Sequence, residues 1–201
     1  MKKNIIDRII SNKLLLTTFD RPEGWVLESG AHTEYYFNLR TLSSSPSLIR
    51  DISNEIGEMI HELVMSGEMN RPNRILGVLY GGILLATMVM NFTDIPMVYA
   101  KKALKYGHHS LIEGIIRDGD NILIVEDVTV ALNSVMNTIN MIEHDMNNRS
   151  TGNISTVYVI TLIDREEGAL ENVWMNRLRL HPYLTLSDFK QHIDKMSKVQ
   201  V

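Results

Sequence analysis

The eighteen residues from Ile75 to Phe92, ILGVLYGGILLATMVMNF, carry no charge, and this stretch constrains the fold more than any other. Length alone would allow such a run to span a membrane. Gly77, Gly81 and Gly82 divide it instead into a short apolar run and a longer one, which predicts a buried strand, a glycine turn and a buried helix. The same alternation continues along the chain. Strands are predicted over Arg74–Leu79, Ile95–Tyr99, Asn121–Val125 and Ser155–Ile163, and helices over Ile83–Asn91 and Ser134–Asp145. Upstream, SSSP at Ser43–Pro46 reads as a turn and N-cap before a helix from about Ser47 to Met65, with Leu48, Ile52, Ile56, Ile60 and Leu63 on one face. Strand alternating with helix predicts an α/β protein with a parallel sheet covered on both faces. Lys101–Gly119 has no clear period and reads as a mobile excursion or a hairpin.

The remaining features narrow the class. With 201 residues, 44% hydrophobic and 22% charged, the chain is long enough for one well-filled domain, and a collagen, a rod or a disordered chain is excluded. A net charge of −4 gives no footprint for nucleic acid. The absence of cysteine removes disulfides, thiolate metal sites and a cysteine nucleophile, and fits a reducing, cytoplasmic setting. Asp7, Arg8 and Lys13 interrupt the N-terminal stretch, so no secretory signal is expected. Ile5, Ile6, Ile9 and Ile10 predict a short amphipathic helix there. The seven histidines show no metal spacing, and no metal site is expected. The segment from Lys190 to Val201 reads as a terminal helix.

Ligands of open parallel sheets bind beyond the carboxyl ends of the strands. Three of those ends carry chemistry: Tyr80-Gly81-Gly82, Glu126-Asp127, and Asp164-Arg165-Glu166-Glu167-Gly168. Taken singly, each has a plain structural explanation in a tight turn, a helix cap or a solvated loop. Their occurrence together at three strand ends, in sheet order, favours a ligand site.

At these residues the chain resembles the orotate phosphoribosyltransferases, particularly the animal type found as the N-terminal domain of bifunctional UMP synthase. The matching stretches are LESGAHTEYYFNLR (Leu27–Arg40), GVLYGGILLAT (Gly77–Thr87), IPM (Ile95–Met97), YGHHSLIEG (Tyr106–Gly114), ILIVEDV (Ile122–Val128) and LIDREEG (Leu162–Gly168), with RLHPYLTLSDF near the C-terminus also fitting. The resemblance implies a type I phosphoribosyltransferase fold: a mainly parallel sheet, helices on both faces, and a small hood from the N-terminal segment. It implies a single domain over 1–201, with a core from about 45 to 165 and the terminal segments forming the hood. It further implies a homodimer that joins orotate to phosphoribosyl pyrophosphate (PRPP), with Mg2+ accompanying PRPP. Carried onto this sequence, Glu126 and Asp127 would hold the ribose and Arg165 the base. Tyr36 and Phe37 would flank the base, Tyr80 and Gly81 would lie near pyrophosphate, and Ser134 would lie near the 5′-phosphate. Lys101, Lys105 and Asp127 would be the catalytic groups of an active enzyme.

The chain departs from the family pattern on the anionic side of that site. Val130 stands where a phosphate-binding threonine is expected, and Leu132 stands where the family has glycine. Valine has no hydroxyl to donate, and leucine resists φ > 0. Ala100 and Leu104 replace an arginine and the main catalytic lysine of the mobile loop, and Glu28 replaces a lysine near pyrophosphate. Lys102, Lys105, His108 and His109 keep that loop basic. The expectation is a catalytically impaired homologue that retains fold and dimer and acts through binding or protein interaction, including pairing with an active homologue. The alternative is an active transferase making orotidine 5′-phosphate from orotate and PRPP with a rebuilt phosphate grip. A pure partner-binding module is a third reading. Neither nucleic acid nor membrane is expected as a partner.

Overall fold

In the computed structural model, residues 1–27, 30–101, 111–149, 152–169 and 178–198 are described. The chain order is α1 (Lys2–Ser11), β1 (Leu15–Thr17), β2 (Trp25–Val26), β3 (His32–Thr33), β4 (Tyr35–Phe37), α2 (Pro46–Met65), β5 (Arg74–Gly77), α3 (Gly81–Thr93) and β6 (Met97–Ala100). It continues with β7 (Ile112–Glu113), β8 (Asn121–Thr129), α4 (Asn133–Arg149), β9 (Thr156–Asp164), β10 (Arg179–Thr185) and α5 (Lys190–Lys198). Six strands form the central sheet in the order β10-β9-β8-β5-β6-β7, parallel except for the antiparallel β6–β7 edge.

Side-chain alternation explains the layers. On β8, Leu123 and Val125 enter a cluster with Leu48, Ile52, Ile56, Leu85, Ala86 and Val89 from α2 and α3. Ile122 and Ile124 enter a second cluster with Val135, Ile139, Ile142 and Met146 from α4. Both sets come from one uninterrupted apolar strand, as expected for a strand buried on both faces. The α1 helix follows the predicted periodicity, and its Ile5 and Ile9 are fully buried against the α2 side.

The predicted elements form, with shifted ends. The strand predicted to stop at Val125 runs on through Glu126 and Asp127 to Thr129, because β9 continues to supply partners: Glu126 pairs with Thr161, Val128 with Ile163 and Thr129 with Asp164. The stretch 101–119 begins and ends as a hairpin, with β6 paired to β7 and the Lys101 N–H donating to Leu111 O at 2.9 Å. Its centre, 102–110, lies outside the described residues. The edge strand β10 has no strand periodicity of its own, since Pro182 interrupts the pattern; proline is tolerated at an edge. It lies C-terminal to the stretch expected to form the core.

Two small antiparallel sheets, β1–β4 and β2–β3, form the N-terminal hood above the carboxyl ends of the strands. The C-terminal segment braces it: Phe189 meets Phe37 edge-on at 5.1 Å between ring centroids. No helix among the described residues is long and apolar enough to cross a membrane.

The start of α3 sits hard against β8. A Cβ on Gly82 would lie 2.5 Å from Val125 O, a backbone atom in the middle of a paired strand that cannot swing aside. Gly82→Ala is therefore expected to destabilise the protein by about 1–3 kcal/mol through overpacking, lowering Tm by about 2–4 °C per kcal/mol. A thermal melt with an unchanged Tm would contradict this packing.

Candidate active site

The strand order reverses between β5 and β8: β6 follows on one flank of β5, and β8 lies on the other. A cleft of about 440 Å³ opens at this switch point. Its floor is Leu79–Gly81 after β5, Glu126–Val128 on β8, and Val130–Ser134 at the turn into α4. The hood contributes Val26, Leu27, Tyr36, Phe37 and Arg40, and Arg165 enters from the end of β9.

The structure thus brings together Tyr36, Phe37, Tyr80, Gly81, Glu126, Asp127, Ser134 and Arg165, together with the altered positions Val130 and Leu132. Tyr36 stacks on Trp25 with centroids 6.0 Å apart, and Phe37 is mostly a core residue between Tyr35 and Phe189. Tyr80 is exposed at the cleft, after a cis Leu79–Tyr80 peptide bond. A Cβ on Gly81 would come within 1.9 Å of Asp127 Oδ2, so the Asp127 carboxylate rests directly on the first residue of α3 and would have to turn away from a larger side chain there. An anion at a helix N-terminus is favourably placed.

The acidic pair is asymmetric. Asp127 is half-buried, whereas Glu126 is only 3% exposed. The Ser134 hydroxyl donates to Glu126 Oε2 at 2.8 Å, and the Asp127 N–H donates to Oε1 at 3.3 Å. Burial, and secondarily the neighbouring Asp127 charge, hold the Glu126 carboxyl well above its ordinary range despite these bonds. Ser134 spends its one proton on Glu126, so toward a further ligand its oxygen is an acceptor.

Leucine was expected to deny the phosphate turn its positive φ. Leu132 nevertheless adopts φ +59°, in the left-handed region. Its side chain is 1% exposed, inside the cluster on the α4 side of the sheet. Burying a leucine is worth about 1.5–3 kcal/mol, which offsets the roughly 1–2 kcal/mol of left-handed strain. The turn thus takes a left-handed conformation that glycine favours, with a packed side chain where glycine would leave open space.

Of the loop positions, Ala100 and Lys101 are described, and neither lines the cleft. Ala100 is buried in the α4-side cluster, and the Lys101 ammonium forms an ion pair with Glu113. Glu28, Leu104 and Lys105 lie outside the described residues. Asn133, read with Ser134 as a donor still able to meet a phosphate, lines the cleft, as does Arg40, which was not singled out in the sequence. Arg40 sits at the end of the matched stretch Leu27–Arg40, which was the signal available for it.

No family model matches the chain. The chain is 32% identical over 170 residues to the orotate phosphoribosyltransferase of Methanosphaera stadtmanae, covering 84% of this chain and 88% of the relative. It belongs to the orotate phosphoribosyltransferase family. It is also 32% identical over 176 residues to the uridine 5′-monophosphate synthase of Bos taurus, covering 87% of this chain but 34% of that protein, so it spans about a third of the bovine relative. A solved UMP synthase from Leishmania donovani superposes on 98% of the chain and 41% of its own length, with a TM-score of 0.74 at 19% identity, and shares the fold. The family assignment agrees with the type I phosphoribosyltransferase architecture of the sheet and hood.

Two substitutions test this account of the cleft. Leu132→Gly relieves the strain but removes a buried side chain, whose loss with cavity formation costs about 2–5 kcal/mol, so a net fall in Tm is expected. A gain in Tm would mean that strain dominates. For Glu126, the folded state holds the proton more tightly than the unfolded chain, so stability falls as pH rises from the ordinary glutamate range through the raised value. Glu126→Gln is expected to melt higher than wild type at neutral pH, with the gap closing as pH falls toward that range. A variant less stable at every pH would contradict the burial cost.

Proposed function

We propose that this chain is an orotate phosphoribosyltransferase homologue that keeps the base and ribose sides of the site, has lost most of its transferase activity, and acts as a homodimer through binding or protein interaction. The observation that carries this reading is the shortage of positive charge in the cleft. Among the described lining residues the cations are Arg40 and Arg165, and Arg165 is already paired with Glu167 at 2.8 Å. Transfer from PRPP leaves pyrophosphate, whose developing charge must be met by preorganised donors or cations. The Lys101 ammonium is engaged by Glu113, Val130 has no hydroxyl, and the Ser134 proton goes to Glu126.

In this reading Asp127 receives the ribose hydroxyls, Glu126 holds Ser134 and the turn in place, and Arg165 and Tyr36 receive a pyrimidine base. The described residues contain no group of three or more His, Asp or Glu able to hold a metal, so Mg2+ fits here only as an ion carried by PRPP oxygens with help from Asp127. When bound, it would supply charge neutralisation at the pyrophosphate. The reading takes residues 1–201 as one domain, with a core from about 45 to 165 and the terminal segments as the hood, working in the cytoplasm. Its partners would be a second copy of the chain or an active homologue.

One observation favours the alternative, an active enzyme making orotidine 5′-phosphate. The turn at Leu132 keeps its left-handed backbone, so main-chain N–H groups there remain in a conformation suited to an anion. A steady-state assay of orotate consumption with PRPP and Mg2+, run beside the Methanosphaera enzyme, decides between the two. Two lost contacts of about 1.5 kcal/mol each, at about tenfold per 1.36 kcal/mol, predict a rate about a hundredfold lower. Comparable turnover would establish the active reading.

A further inference from the structure

Two consecutive glutamates after β9 serve different neighbours. Glu166, at φ +57°, turns to the C-terminal segment, where Oε2 accepts from the Ser187 N–H at 2.8 Å and the Ser187 hydroxyl at 2.7 Å. Glu167 turns back to the hood. Its single oxygen Oε1 accepts from the Tyr35 hydroxyl at 2.7 Å, Arg165 Nη2 at 2.8 Å and Arg165 Nε at 3.2 Å. Arg165 Nη2 also donates to Thr33 Oγ1 at 3.1 Å, and that hydroxyl donates to Tyr35 O at 3.2 Å. The guanidinium lies over the Tyr35 ring, 4.7 Å from its centroid, and the Arg165 side chain is 3% exposed. Among the described residues, Nη1 is then the guanidinium nitrogen with no hydrogen-bond partner, and Arg165 lines the cleft.

We infer that Glu167 is a positioning residue for Arg165: by occupying Nε and Nη2 against the Tyr35 ring, it fixes the guanidinium plane and leaves Nη1 as the donor offered to a base in the cleft. A buried arginine with four rotatable bonds would otherwise have to be ordered by the ligand itself, at an entropic cost to binding. The tie spans all three parts of the molecule. Thr33 and Tyr35 belong to the hood, Arg165 and Glu167 to the loop at the carboxyl end of β9, and Glu166 secures the same loop to the C-terminal segment. Glu167 thereby couples the seating of the hood to the readiness of the base subsite. The inference rests on the reading of Arg165 as the base-binding group, and its test is built to separate the two.

The first measurement needs no ligand. The Arg165 Nε–H proton, assigned with Arg165→Lys, is followed by nitrogen-15 NMR in the whole protein. A dispersed, slowly exchanging signal is expected in wild type and in Glu167→Gln, which keeps the acceptor oxygen. In Glu167→Ala it is expected to collapse toward the signals of exposed arginines. The second measurement is orotate affinity by calorimetry on the same variants. Loss of the tie is expected to weaken binding by about tenfold in Glu167→Ala, roughly the cost of one charge-assisted hydrogen bond, with Glu167→Gln restoring most of it. Tyr35→Phe, which leaves the Glu167–Arg165 pair intact, is expected to fall between them, and it carries the test if Glu167→Ala melts early. An unchanged Nε–H signal in Glu167→Ala overturns the positioning role. A wild-type protein that binds no orotate overturns the base-subsite reading, while the NMR result still decides the role of Glu167.

Discussion

The site depends on a step in the sheet. The β5 strand stops at Gly77, opposite Val125, while β8 continues for four more residues supported by β9 alone. Beyond that step the flank of β8 is covered by the start of α3, whose Gly81 and Gly82 allow the helix to close on Asp127 and on Val125 O. The acidic pair therefore stands on a strand held rigid on one side and open to a cleft above. A Cβ on Gly82 would push the helix off the strand, and one on Gly81 would displace the Asp127 carboxylate from its place at the start of α3.

Electrostatics inside the cleft are largely settled internally. Glu126 is buried with a serine proton and a backbone N–H on its two oxygens, and Arg165 is buried with a glutamate, a threonine and an aromatic face. Buried charges demand such partners, because leaving them unmet costs far more than the pairing returns. The consequence for function is direct. Among the described residues of the cleft, Arg165 and Ser134 are already engaged within the chain, and Asp127 and Arg40 remain the charged side chains most available to a ligand.

Leu132 shows how a left-handed turn can be held by packing. In place of glycine's freedom the chain has a buried apolar side chain that pins the same backbone conformation to the core beneath α4. With Val130 beside it, the turn is built more by packing than by ligand-directed hydrogen bonding. Membership of the orotate phosphoribosyltransferase family accounts for the fold.

Strand and helix identities, the two-faced burial of β8 and the grouping of three loaded strand ends were legible in the sequence. Each rests on local periodicity and on the rule that parallel-sheet ligands gather at carboxyl ends. The strand β10 was not, because an edge strand containing Pro182 has no alternating pattern of its own and forms only through pairing with β9. Nor was the conformation of Leu132. Its strain is a local property readable from residue type, but the burial that offsets it depends on α4 and the sheet closing over the side chain. The engagement of Arg165 by Glu167 and of Lys101 by Glu113 likewise belongs to the tertiary structure. Thr33 and Arg165 are 132 residues apart, and only the folded hood brings them within hydrogen-bonding distance. Residue types determined which chemistry was present; which of those groups are free to use it was decided by three-dimensional proximity.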